Sequence, residues 1–219
     1  MKIIVFFTDK FKEMYEDFFY KSVVKYNEYE IENKSIDLLD DQEYNTKEWI
    51  MLMKYKVEII LGEIMKNTGE IFMYNDVDIQ YLGKTKSIIL DSMKDNDIVF
   101  QQNDKGKPNA GIIVCRSSIE NTNAINFLKK VIEILEFNYN NIETFKTVNY
   151  STLSDNSTMY KLLNDNFPIK WGLLPKEFIT GRLPSLKKIP NHKVLLHHAT
   201  CVTTINEKIE QMKWLKQSI

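Results

Sequence analysis

The triplet Asp76–Val77–Asp78 is the part of the chain whose residue types and spacing point most directly to chemistry. It follows the apolar run Ile71, Phe72, Met73, Tyr74, which reads as a strand, and in extended chain residues i and i+2 point to the same side. The two carboxylates can therefore converge on one hard cation. Mg²⁺ and Mn²⁺ favour oxygen ligands, and a site with two carboxylates leaves coordination positions open for the oxygens of a diphosphate. Open α/β sheets bind ligands beyond the carboxyl ends of their strands, which is where this pair lies. Taken alone, a D-x-D triplet is equally a solvated acidic turn.

Other groups carry a functional and a structural reading side by side. His197 and His198 end a strand, and adjacent strand residues face opposite sides, so only one of them can enter such a site. Imidazole is a reasonable third ligand for Mn²⁺ beside two carboxylates; the other reading is a surface pair. Lys208 can meet a diphosphate as a point charge, or stand solvated on a terminal helix with Lys213 and Lys216. Lys56 can reach a ligand from a long helix, or snorkel along it. Thr8 closes the first strand, where it can touch ribose or base, or cap the following helix together with Asp9. Asp155 opens a helix and can cap it. Asn109 to Gly111 can approach a ligand through the backbone, or form a bulge at a strand start. Trp49, Trp171 and Trp214 read as core or rim aromatics, and His192 as a structural residue of a Pro-Asn turn.

The elements that must position these groups follow from periodicity. Residues 3–7 read as a strand of β-branched and aromatic residues, and residues 10–27 as an amphipathic helix with Phe11, Met14, Tyr15, Phe18, Phe19 and Val23 at helical spacing. Residues 29–38 are extended. The strongest helical pattern covers residues 46–67, with Ile50, Met53, Val57, Ile60, Leu61 and Ile64 in steps of three and four, and stops at Asn67, Thr68 and Gly69. Strands are expected over residues 70–74, 98–101, 111–116 and 193–198, and helices over 84–94, 122–135, 155–164 and 206–216. Residues 167–174 read as extended and 181–190 as a basic loop containing proline. The alternation predicts an α/β sheet with helices on both faces. No repeat or linker divides residues 1–219, so a single domain is expected.

The helix carrying Lys56, Gly69 at its end and the phrase I-F-M-Y-N-D-V-D-I-Q-Y-L together resemble the nucleotide-diphospho-sugar transferase family, in which a helix bearing a lysine leads into a strand and D-x-D. Three later segments are similar to that family in the same order. The segment from Asn109 through Gly111 to Arg116 looks like its N-x-G strand, followed by a helix with Thr122 and Phe127. Asp155 and Asn156 stand where the family has Asp-Gln. His197, His198, Ala199 and Thr200, with Lys208 ten residues beyond His198, look like its terminal His-His-Ala-Asn motif and downstream lysine. The resemblance implies a GT-A (Rossmann-like) mixed sheet and a retaining glycosyltransferase. Its donor would be a nucleotide-diphosphate sugar, UDP-linked, its acceptor a glycan or other hydroxyl compound, and its cation Mn²⁺ or Mg²⁺. It further implies Asp76, Asp78 and one of His197 and His198 as metal ligands, with His198 favoured by its distance from Lys208. Thr8, Lys56, Val77, Asn109, Gly111 and Lys208 would contact the donor, and Asp155 and Asn156 the transferred sugar. Three positions depart from the pattern: Asn156 replaces Gln, Thr200 replaces Asn, and Thr204 stands for the glycine between the terminal His and Lys. The last bears on the loop that wraps the diphosphate, because glycine lets a backbone approach closely. Residues 198–208 are expected to order over the donor as a lid.

Composition narrows the alternatives. The chain has 219 residues, 43% hydrophobic and 27% charged, with a net charge of −1. That is an ordinary globular balance, without the basic excess of a nucleic-acid binder, and Arg116 and Arg182 are its only arginines. Cys115 and Cys201 are far apart, which predicts no disulfide framework and a reducing compartment. The apolar run at residues 3–7 is too short for a signal peptide core and no run reaches transmembrane length, so a cytoplasmic protein is expected. There is no P-loop, G-x-G-x-x-G, G-x-S-x-G or zinc spacing. A phosphohydrolase of the haloacid dehalogenase type would want a threonine soon after the second Asp, where Ile79, Gln80 and Tyr81 follow instead. A non-catalytic nucleotide-sugar binder, with transfer disabled by Thr204, is the remaining alternative.

Overall fold

The computed structural model describes residues 1–36, 46–145, 153–181, 194–200 and 204–218. The loop expected over 181–190 lies outside the described residues beyond Gly181, as do His192 and Cys201. In chain order, β1 (Lys2–Thr8) leads through a 3₁₀ turn (Asp9–Phe11) into α1 (Lys12–Met14), a π-helical segment (Tyr15–Tyr20) and α2 (Lys21–Tyr26). Then follow β2 (Glu30–Ile36), α3 (Lys47–Met65), β3 (Ile71–Asn75), β4 (Ile79–Tyr81), α4 (Lys86–Ser92), β5 (Ile98–Gln102), β6 (Pro108–Arg116) and α5 (Thr122–Asn140). The last third holds α6 (Asp155–Asn164), β7 (Trp171–Leu173), β8 (Phe178–Thr180), β9 (Leu196–His198) and the terminal helix α7 (Ile205–Ser218). No helix among the described residues is long and apolar enough to cross a membrane.

The main sheet has six strands in the order β2-β1-β3-β6-β5-β7. It is mixed: β1 runs parallel to β2 and β3, β6 antiparallel to β3 and β5, and β7 parallel to β5. The unbroken apolar run of β1 follows from its central place, since a strand covered on both faces cannot alternate apolar with polar. Ile4 and Phe6 pack with α3, α5 and α6 on one face, and Ile3, Val5 and Phe7 with Met14, Phe18, Phe19, Ile209 and Met212 on the other. Both helical layers expected from periodicity are present.

Two features depart from expectation. The helix expected over residues 10–27 is broken into 3₁₀, α and π turns; the wider π turn lets the adjacent Phe18 and Phe19 both face the core. The second is a three-stranded sheet, β4-β9-β8, which stands beside the main one. Its strands are three residues each, too short to show a period of two, and β4 starts directly after the acidic triplet. This small sheet carries His198 opposite Ile79 and therefore next to the acidic turn.

The small sheet is tied down by Ser22 of α2. Its hydroxyl donates to the Phe19 carbonyl (2.8 Å) and accepts from the Tyr81 backbone N–H (2.9 Å), and it is buried. Ser22→Ala should leave that N–H without a partner. A loss of about 1–3 kcal/mol in denaturant unfolding is expected, the cost of orphaning a buried donor; unchanged stability would show that β4 is held by packing alone.

Candidate functional site

β3 ends at Asn75 and β4 begins at Ile79, so Asp76, Val77 and Asp78 form the connection between the two sheets. The carboxylates converge because the chain turns here, and not by the alternation of an extended strand. The turn is fixed from both sides: the Asp76 N–H donates to the Gly111 carbonyl (2.8 Å), and the Asp78 carbonyl accepts from Ala199 N–H (2.9 Å). Val77 is buried in the apolar cluster beneath and pins the middle of the turn. β1 and β3 are parallel neighbours, with Val5 facing Asn75, so Thr8 lies at the same end of the sheet. The Thr8 side chain makes no capping bond, and its buried hydroxyl has no hydrogen-bond partner among the described residues.

His198 completes a three-residue cluster. Its Nε2 lies 3.1 Å from Asp78 Oδ1 and 3.8 Å from Asp76 Oδ2, and one ligand atom from each of the three residues falls within 4.8 Å of the others. His197 takes the other face of β9, as strand alternation requires. Its ring stands 3.3 Å (Nε2) from the Gly181 carbonyl, and its Nδ1 has no partner among the described residues. Burial lowers the His197 pKa to about 4, so the ring stands neutral at physiological pH.

Two lysines balance the acidic groups. Lys208 of α7 is ion-paired to Asp78 Oδ2. Lys56 of α3, only 3% exposed, lies 3.0 Å from both Asp76 Oδ1 and Asp155 Oδ2, with its ammonium 5.0 Å from the Tyr74 ring centroid. It is therefore a buried bridging cation and not a snorkelling one. Burial opposes the charge on Lys56, but Asp155 and Asp76 outweigh it and hold the ammonium above its usual pKa. Burial raises the Asp76 carboxyl against the pull of Lys56. Asp78 goes the other way: burial opposes its ionisation, yet Lys208 and His198 prevail and hold it well below the carboxylate range.

The start of β6 closes the site. Phe100 pairs with Ile113 but Gln101 with Asn109, so β6 bulges between these pairs. Within the bulge the Gly111 N–H donates to Asn109 Oδ1 (2.9 Å) and the Ala110 N–H to Asn156 Oδ1 (2.9 Å). Asn156 thus fastens the start of α6 to β6. The helix cap is Ser154, whose Oγ accepts from Ser157 N–H (3.0 Å), which leaves Asp155 for Lys56. A Cβ on Gly111 would come within 2.0 Å of His198 Cε1. Thr204 also has a structural explanation. It forms a reciprocal cap on α7, its Oγ1 accepting from Glu207 N–H (3.2 Å) while its own N–H donates to Glu207 Oε2 (3.2 Å). The lid expected over 198–208 includes residues 201–203, outside the described residues.

One residue at this site was not singled out from sequence. Gln101 is fully buried and its Oε1 lies 2.9 Å from His198 Nδ1. The signal available was a polar side chain at a strand position otherwise reading as core.

A family model described as nucleotide-diphospho-sugar transferase matches residues 16–212. No curated protein matches the chain significantly. Among solved structures the chain is similar to the glycosyltransferase GlyE of Streptococcus pneumoniae TIGR4, at 15% identity and a TM-score of 0.58, covering 100% of this chain and 64% of GlyE. It is similar to a glycosyltransferase involved in glycosylating the major capsid of PBCV-1, at 14% identity and a TM-score of 0.59, covering 99% of this chain and 100% of that one. It is also similar to the galactosyltransferase LgtC, solved with donor and acceptor sugar analogs, at 11% identity and a TM-score of 0.58, covering 100% of this chain and 96% of LgtC. At these identities the likeness is one of fold, the GT-A arrangement of a mixed sheet flanked by helices.

Gly111→Ala tests the packing of the site. The added methyl must displace the imidazole, so a loss of about 1–3 kcal/mol is expected, the usual cost of overpacking, with the ring moved away from Asp78. Thermal unfolding and a crystal structure of the variant would check this; an unmoved ring and unchanged stability would contradict it.

Proposed function

The chain belongs to the nucleotide-diphospho-sugar transferase family, and from that premise we propose that it moves a sugar from a UDP-linked donor to an acceptor hydroxyl, with Mn²⁺ or Mg²⁺ held by Asp76, Asp78 and His198. The observation that carries this reading is the mutual approach of one oxygen from each aspartate and the His198 Nε2, within 4.8 Å, at the carboxyl end of β3. Two carboxylates and one imidazole suit Mn²⁺, and three protein ligands leave positions for diphosphate oxygens. When bound, the cation supplies neutralisation of the charge that develops on the leaving nucleoside diphosphate.

The residues around it have separable tasks. Thr8, whose buried hydroxyl lacks a partner among the described residues, supplies a polar group for the nucleoside at the end of β1. Val77 holds the turn from below, and the Asn109–Gly111 bulge brings backbone close to the donor. Lys208 sits on the carboxylate a cation needs, so entry of the cation frees its ammonium for the diphosphate. Lys56 holds Asp76 and Asp155 together, and the role we assign to Asp155, with Asn156 beside it, is contact with the transferred sugar. Retention at the anomeric carbon is part of the proposal and rests on the family resemblance; the anomer of the product, read by NMR, tests it. Thr204 is accounted for as a helix cap, so its presence does not favour a non-catalytic binder.

Three outcomes are expected. UDP with Mn²⁺ should raise the melting temperature of the protein, since a ligand of the native state stabilises by about 2.7 kcal/mol at a hundredfold excess over Kd. Asp76→Asn and Asp78→Asn should each abolish the Mn²⁺-dependent part of that shift. A shift that persists in either variant would remove the proposed cation site. Lys208→Met should tighten Mn²⁺ binding without nucleotide, because its rival for Asp78 is gone, and weaken UDP binding with Mn²⁺ by about 1–3 kcal/mol, the range for a hydrogen bond to a charged group. Calorimetry showing neither change would assign Lys208 a structural role only.

A further inference from the structure

Gln101 lies at the meeting point of the two sheets, behind the imidazole of His198 as seen from the acidic turn. Its side-chain nitrogen donates to two backbone carbonyls of β8, those of Phe178 and Ile179, each at 3.2 Å. Carbonyl oxygens only accept, so the amide must present its nitrogen to β8 and cannot be reversed. The amide oxygen therefore faces His198 Nδ1, at 2.9 Å. That oxygen also only accepts, so Nδ1 must carry a hydrogen. With a hydrogen held on Nδ1, the ring turns Nε2 to the acidic turn, 3.1 Å from Asp78 Oδ1 and 3.8 Å from Asp76 Oδ2, as the nitrogen left to bond either Asp78 or a cation.

We infer that Gln101 is a positioning residue that locks His198 in the Nδ1–H tautomer and aims its Nε2 lone pair into the Asp76–Asp78 turn. The inference rests on the proposed cation site and adds the device that makes His198 a ligand. The lock has three parts. The β8 carbonyls fix the amide, the amide fixes the tautomer, and Gly111 gives the ring its place, since a Cβ there would meet Cε1 at 2.0 Å and Nδ1 at 2.4 Å. The bulge in β6 opposite Gln101 is what brings Gly111 under the ring. All the polar partners are buried, so water does not compete for the Nδ1 hydrogen. Without the lock, the ring could place its hydrogen on Nε2 and donate to Asp78, and the lone pair a cation needs would point away. Second partners of this kind typically alter metal affinity by roughly 10–100-fold.

A purely structural Gln101, serving only to tie β5 to β8, would leave the tautomer and the cation affinity untouched once stability is matched. The test is long-range ¹⁵N NMR on histidine-labelled protein, combined with Mn²⁺ titration followed by EPR. Wild type should show a hydrogen on His198 Nδ1. Gln101→Met, which keeps the size and removes the acceptor, should lose that tautomer and bind Mn²⁺ roughly 10–100-fold more weakly. Gln101→Glu keeps an acceptor for Nδ1 and should recover most of the affinity even though its bonds to β8 are lost. If Gln101→Met fails to fold, the wild-type spectrum decides alone: a neutral His198 with its hydrogen on Nε2 overturns the inference. Equal Mn²⁺ affinity in wild type and Gln101→Met also overturns it. Wild-type protein that shows the Nδ1–H tautomer but binds no Mn²⁺ would instead refute the proposed cation site and leave the lock standing.

Discussion

Three carboxylates, those of Asp76, Asp78 and Asp155, are gathered at one sheltered point, and the rest of the structure is arranged around their compensation. An isolated carboxylate taken out of water costs several kcal/mol, so the buried Asp78 and Asp155 are not tolerable there without a cationic or hydrogen-bonding partner, and the half-buried Asp76 adds its charge to theirs. The partners come from far along the chain: Lys56 from α3, His198 from β9 and Lys208 from α7. Each is held by the packing of its own element. α3 packs on one face of the main sheet through Val57 and Ile60, and α7 on the other through Ile209 and Met212. The site is thus the place where both helical layers and both sheets are cross-linked by charge.

The compensation is uneven, and the unevenness suits the proposed chemistry. Lys56 is buried and bridges two carboxylates at equal distance, which makes it a fixed part of the scaffold. Asp78 is served by His198 and by Lys208, whose side chain is 24% exposed. A cation bound through the Asp78 oxygen would replace a lysine and keep the imidazole. The positive charge displaced in this way stays at the site, next to the diphosphate that would arrive with the metal.

Much of this was legible in the sequence, for identifiable reasons. The long apolar stripes of α3 and α5 and the unbroken run of β1 have enough residues to reveal their period. The acidic triplet announced itself by residue type, and strand alternation separated His197 from His198, which the structure places on opposite faces of β9. Of the small sheet only β9 was legible, inside the strand expected over 193–198; β4 and β8 were not, because strands of three residues show no pattern and their pairing depends on which segments the main sheet brings together. The convergence of Asp76 and Asp78 was expected from strand geometry but arises in a turn, anchored by Gly111 and Ala199 from elsewhere in the chain. Gln101 had only a weak local signal, a polar residue in a strand otherwise reading as core. Its meaning comes from a bulge, two carbonyls of β8 and an imidazole ninety-seven positions away, and none of these is visible before the chain is folded.

The most direct test of the account is the place of the cation itself. Crystals soaked with Mn²⁺ and UDP, measured at the manganese absorption edge, should show an anomalous peak bonded to Asp76, Asp78 and His198 Nε2, with the Lys208 ammonium turned from Asp78 to the diphosphate. A peak elsewhere, or none with Lys208 still paired to Asp78 while UDP is bound, would contradict it.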